Sequence, residues 1–158
     1  MSKNVVIFYT WSGQTRKMAE IIANHNDVDM LEVKPITPYS QNYDVVVKQA
    51  KDEIYKSFLP EIENTKVDLS RYDVIYIGTP VWWGTMAPPL ATFLKAHNFN
   101  GKTIMPFCTH GGGGKGHSDR DIERLCTGAI VKDMYVAYEG GGSSADKEIT
   151  AWIKKNIK

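Results

Sequence analysis

Apolar runs of strand length alternate along this chain with stretches whose apolar residues recur at helical spacing. Residues 4–9 predict a first strand, and 14–25, with Met18, Ile21 and Ile22 on one side, predict a first helix. Residues 29–33 predict a second strand. Pro35 and Pro38 then break the chain before a helix over about 43–58, where Val46, Val47, Ala50, Ile54 and Phe58 recur at helical spacing. A polar connection over 59–71 leads to Val74-Ile75-Tyr76-Ile77-Gly78, a continuous apolar run of the kind a central parallel strand carries. The segment 79–84 reads as a loop, and Pro88 and Pro89 open a helix that runs to about His97. Residues 103–108 predict a fourth strand, 109–116 a glycine-rich loop, 118–126 a helix capped by Ser118, 129–138 a fifth strand and 143–156 a last helix. Strict alternation of five strands and five helices predicts an α/β, three-layer doubly wound fold around a five-stranded parallel sheet of order 2-1-3-4-5.

Composition narrows the partners. A chain of 158 residues with 42% hydrophobic content predicts one domain spanning 1–158. The formal charge of +1, from scattered lysines and arginines, argues against nucleic acid and against a membrane surface. The first residues run straight into a strand without a leader pattern, so the expected location is cytoplasmic. Cys108 and Cys126 have neither metal-ligand spacing nor a CxxC motif; both are expected in the core, and no metal site is expected.

Chemistry concentrates at the end of the first strand. Tyr9-Thr10-Trp11-Ser12-Gly13-Gln14-Thr15 is a hydroxyl-rich turn entering a helix, where unpaired backbone N–H groups and the positive dipole end favour an anion. Gly13 lets the backbone bend around its guest. The turn holds no Lys or Arg, so it is not the lysine-bearing loop of nucleotide triphosphatases. Neutral donors suit a terminal phosphate monoester, although Ser and Thr ahead of a helix can also serve as plain caps.

In the predicted sheet the turns after strands one, three and four open on one edge. They offer phosphate donors, two indoles with a proline, and the backbone amides of consecutive glycines. Flavin mononucleotide (FMN), with a phosphate at one end and a flat hydrogen-bonding ring at the other, meets that description.

The motif Thr10-x-Ser12-Gly13-x-Thr15 resembles the phosphate loop of the flavodoxin family. Thr79-Pro80-Val81-Trp82-Trp83-Gly84 and Thr109-His110-Gly111-Gly112-Gly113-Gly114 resemble the two flavin-ring loops of its short-chain members, and the segments 73–78 and 88–94 extend the similarity over nearly the whole chain. The resemblance implies noncovalent FMN, with Thr10, Trp11, Ser12, Gly13, Gln14 and Thr15 around the phosphate. The ring would lie between Pro80, Val81, Trp82, Trp83 and Gly84 on one side and Thr109, His110, Gly111, Gly112 and Gly113 on the other. Two features depart from the family pattern: the near-neutral charge, and one more indole than the common Trp-Gly.

Other readings are weaker. Residues 111–116 satisfy GxGxxG, but a run of glycines does so easily. Neither cysteine begins a Cys-x5-Arg phosphatase loop, and Tyr9-Thr10 stands where a receiver domain would carry acids. His110 is read as a binding residue with a structural role equally open, Glu139 with its following glycines as a turn in preference to an approach to the ring edge, and no residue as catalytic. The expected function is electron transfer between soluble redox partner proteins, a reductase donor and an acceptor. An FMN-dependent NAD(P)H:quinone or flavin reductase is the alternative, and a domain acting only through protein contacts a third.

Overall fold

The computed structural model describes residues 3–25, 28–63 and 66–157. Met1 and Ser2 at the amino terminus, and Asn64 and Thr65 of the polar connection, lie outside the described residues.

The chain runs β1 (Lys3–Phe8), α1 (Gln14–Ala23), β2 (Val28–Glu32), α2 (Tyr43–Tyr55), β3 (Tyr72–Trp82), β4 (Thr85–Met86), α3 (Pro88–Ala96), β5 (Thr103–His110), α4 (Ser118–Leu125), β6 (Ile130–Val131), β7 (Tyr135–Tyr138) and α5 (Ala145–Asn156). The parallel pairs are β2 with β1, β1 with β3, and β3 with β5; both β6 and β7 lie parallel along the outer side of β5. This is the expected order 2-1-3-4-5 with the fifth strand in two pieces. Thr103 faces Ile130 but Phe107 faces Tyr135, so the register advances by one residue across 132–134. That advance interrupts the ladder and divides the predicted strand 129–138.

Side-chain alternation along the strands builds two cores. Val5, Ile7, Ile75 and Ile77 face one side with Val46 of α2, Leu90 and Phe93 of α3 and Ile122 of α4. Val6, Phe8, Tyr76 and Met105 face the other with Met18 and Ile22 of α1 and Ile149 and Trp152 of α5. Burying both faces is what makes the central strands read as unbroken apolar runs. Gly78 is required where β3 passes β5, since a Cβ there would lie 2.1 Å from the Phe107 ring. Cys108 and Cys126 are buried and unpaired, as expected of core residues, and burial pushes both thiols up to about 12.

Four boundaries differ from the sequence reading. The segment 79–84 is not a loop throughout: β3 continues to Trp82 and forms a tight hairpin with β4. Helix α2 stops at Tyr55, because Ser57 takes a positive φ of 54°. Residues 142–144 form a 3-10 turn ahead of α5. Ser118 is the first residue of α4 rather than its cap; His117 holds the cap position, and the Ser118 hydroxyl donates to the Lys115 carbonyl at 2.7 Å.

Candidate functional site

The carboxyl ends of β1, β3 and β5 meet at one edge, and short contacts tie their loops together. The Tyr9 amide donates to the Gly78 carbonyl, and the hydroxyls of Thr15 and Thr109 share a buried hydrogen bond of 2.8 Å between the first turn and the third. The first turn is folded by its own residues. Gly13 sits at φ 96°, and the Thr10 hydroxyl accepts from the amides of Gly13 (3.1 Å) and Arg16 (3.3 Å). Thr10 therefore does serve as a local helix cap. The amides of Gln14 and Thr15 open the first turn of α1 and have no intrahelical acceptor. Arg16, in the first turn of α1, is held by an ion pair with Glu32 and lies over the Phe8 ring.

The second loop is a two-residue hairpin turn. Trp82 pairs with Thr85, and the intervening Trp83 and Gly84 both take positive φ, 53° and 79°. That geometry matches strand twist but strains a side chain as large as tryptophan. It is held from outside: the Gly84 carbonyl accepts from the His117 amide at 2.8 Å, and Gly116 packs so closely that a Cβ on it would lie 2.4 Å from the same oxygen. The Asp121 carboxylate accepts from the Thr85 hydroxyl at 2.5 Å, pairs with His117 at 2.7 Å and bonds Arg124. Burial pushes that carboxyl up, but these hydrogen bonds prevail and hold it below the usual range.

The tryptophans part company. Trp82 is half buried and meets Tyr39 and Tyr9 edge to face. Trp83 is 50% exposed; its indole N–H donates to the Val47 carbonyl at 3.0 Å, and Lys51 lies over its face.

Between the loops lies a cleft of about 470 Å³, within the range of small-ligand sites. Of the predicted residues, Trp11, Ser12, Gln14, Pro80, Val81, Trp82, Trp83, Thr109, His110 and Gly111 line it. Thr10, Gly13, Thr15, Gly84, Gly112 and Gly113 do not. Thr10, Gly13 and Thr15 shape or anchor the first turn, Gly84 completes the hairpin, and Gly112 and Gly113 lie exposed beyond the rim. The His110 Nδ1 accepts from the amides of Gly112 (3.0 Å) and Gly114 (3.2 Å), folding the glycine loop around its ring. Two of the amides a dinucleotide fingerprint would offer to phosphate are thereby engaged.

Four lining residues of α2, Tyr43, Val46, Val47 and Ala50, are not among the predicted site residues; Glu139, whose approach to the ring edge is the weaker reading of the sequence, lines the cleft as well. Val46, Val47 and Ala50 read in the sequence as the apolar positions of a helix, and the presence of both Val46 and Val47 among them is the available signal. Glu139 does form a turn, at φ 51°, but its amide bonds the His110 carbonyl and brings it to the cleft.

A donor-rich turn, flat indoles and a glycine loop at one sheet edge coincide with a match of residues 3–156 to the family profile described as Flavodoxin. The chain belongs to the flavodoxin family. No curated protein matches its sequence. Among solved structures, a Bacteroides eggerthii DSM 20697 protein described as a flavoprotein shares 25% identity at TM-score 0.86, covering 100% of this chain and 99% of that one. The flavoprotein of Lactobacillus acidophilus NCFM in complex with FMN shares 28% identity at TM-score 0.75, with 96% and 99% covered. Oxidised Flavodoxin 1 of Bacillus cereus, at 19% identity and TM-score 0.65 over 99% and 100%, shares the fold of this flavodoxin-family chain.

Proposed function

We propose that this flavodoxin-family chain binds FMN noncovalently and carries electrons between soluble redox partner proteins. The observation that carries the reading is the convergence of three chemically different loops on one cleft. The donor set fits the cofactor: neutral hydroxyls and helix-start amides for the phosphate, indoles for the ring face, and a backbone-rich loop for the ring's polar edge. Ser12, Gln14 and the amides of the first turn hold the phosphate, while Thr10 and Thr15 keep that turn in shape. Pro80, Val81, Trp82 and Trp83 flank the ring on one side and Thr109, His110 and Gly111 on the other. Bound FMN supplies one- and two-electron redox chemistry. The chain's residues orient it, exclude water from its face and set its potential. Apolar walls and the Glu139 carboxylate disfavour extra negative charge in the cleft, which lowers that potential. Exposed aromatics at and beside the mouth, Tyr43 (68%), Trp83 (50%) and Tyr138 (58%), suit docking by a partner protein.

The near-neutral charge favours a second reading, an FMN-dependent NAD(P)H:quinone or flavin reductase, because carrier docking commonly draws on a strongly charged face. An anaerobic reductive titration followed by absorbance tests both. Reduction only through an added reductase supports the carrier; steady NAD(P)H turnover with a quinone by the isolated protein supports the enzyme. Protein that is colourless and leaves added FMN fluorescence unquenched defeats both.

A further inference from the structure

One buried acid, Glu53, is not among the residues that line the cleft. Glu53 of α2 is 8% exposed; one carboxylate oxygen accepts from the Tyr39 hydroxyl at 2.5 Å and the other from the Gln49 amide at 3.0 Å. The Tyr39 ring meets Trp82 edge to face, with centroids 5.2 Å apart, and Trp82 lines the cleft. Tyr9 completes the cluster at 5.6 Å from Trp82 and 6.2 Å from Tyr39. Glu53 also borders a surface depression with Asp52, Lys56 and Phe58. A chain of contacts thus runs from cleft to indole to phenol to carboxylate to a second surface depression.

We propose that Tyr39 is a proton-coupled redox residue: when Trp82 has lost an electron toward the cleft, Tyr39 replaces that electron and passes its hydroxyl proton to Glu53. The indole radical cation returns to neutral indole, the phenol becomes a neutral phenoxyl radical and the carboxylate becomes a carboxylic acid. Charge balances: one positive and one negative centre are consumed, and no new ion is buried. The oxidant is a one-electron acceptor held in the cleft, a role that light-excited oxidised flavin fulfils; when its electron returns, Tyr39 recovers its proton from Glu53.

The surroundings favour joint departure of the two particles. Burial, then the hydrogen bond to Glu53 and its charge, push the Tyr39 phenol far above its ordinary range, which closes a route that begins by releasing the proton. Losing the electron alone would leave a cation in an apolar cluster. Tyr39 is the phenol bonded to Glu53, which distinguishes it from the neighbouring Tyr9.

This inference rests on FMN binding, so the experiment reads the two separately. Retention of FMN by the purified protein, measured in the dark by fluorescence quenching, tests binding. Flash illumination without oxygen, with electron paramagnetic resonance of protein carrying ring-deuterated tyrosine, then tests the relay. The expected result is a neutral tyrosyl signal that deuteration narrows, that persists in Tyr9→Phe and disappears in Tyr39→Phe. In Glu53→Gln, whose amide keeps an acceptor but cannot take the proton, the yield falls at least about tenfold. A purely structural Tyr39–Glu53 contact would change stability and leave the radical unchanged. A flavin-loaded protein without the signal, or a signal surviving Tyr39→Phe or undiminished in Glu53→Gln, overturns the relay alone. Failure to retain FMN overturns the relay together with the proposed function.

Discussion

Two of the turns at the cleft, those after β1 and β3, depend on left-handed backbone and obtain it differently. At the first, Gly13 sits at φ 96° with open space around it, and the Thr10 hydroxyl, accepting from the Gly13 and Arg16 amides, fixes the shape. At the second, Trp83 and Gly84 are held by Gly116, His117, Thr85 and Asp121, residues contributed by the adjoining strand and by a loop and helix some thirty positions later. A self-folded turn bends under substitution, whereas a clamped one fails when either half of the clamp moves.

The sharpest way to break that contrast is a pair of glycine substitutions. Gly116→Val combines φ 57° with a Cβ placed 2.4 Å from the Gly84 oxygen, a backbone atom that cannot step aside. It should cost about 3 kcal/mol in chemical denaturation and abolish FMN retention. Gly13→Ala meets φ strain without a clash and should cost about 1 kcal/mol. Equal losses would end the distinction.

A smaller effect probes the link between the first turn and the third. Thr15→Val removes one partner of the buried Thr15–Thr109 bond and strands the other hydroxyl, a loss of about 2 kcal/mol. Adding Thr109→Val should restore part of it, because two apolar partners leave nothing unsatisfied, and a double-mutant cycle reads the coupling.

The same contrast explains what was legible in the sequence. The first turn is specified by residues adjacent in the chain, Thr10 through Thr15, so its place at the sheet edge could be read directly, as could the order of the central strands. The hairpin at Trp83 could not. Its shape depends on Gly116 and Asp121, and no local pattern announces that β3 runs on past Thr79. The glycine loop was legible as a loop, but not as one wrapped around the His110 ring. The α2 wall was hidden for another reason: a residue facing a cleft and one facing the core carry the same apolar signature.

Substituting Trp83 separates fold from function at the hairpin. Trp83→Asn places a residue suited to left-handed backbone at that turn, while losing an exposed hydrogen bond and the contact with Lys51. Stability should stay within about 0.5 kcal/mol of the parent. FMN affinity should fall by about tenfold, one lost stacking face. A variant that loses both would mean that Trp83 supports the fold rather than the cofactor.

The mildest effect distinguishes the turns by pH. The first is built from neutral donors, whereas the hairpin clamp relies on Asp121, whose carboxyl is held below its usual range by Thr85, His117 and Arg124 despite the opposing effect of burial. A depressed folded-state value adds stability that is complete above the unfolded carboxylate value of about 4 and disappears as pH falls through the folded value. Asp119, which burial alone would raise but which its bond with Lys115 and backbone amides together hold below the usual range, acts in the same direction. Because Asp121 is only partly enclosed, solvent screening keeps its share below about 1 kcal/mol. Asp121→Asn should therefore lower the melting temperature by a degree or two near neutrality, with the gap from the parent closing as the pH is taken below about 4. Parallel acid profiles in parent and variant would show that the clamp is held by packing against Gly116 rather than by charge.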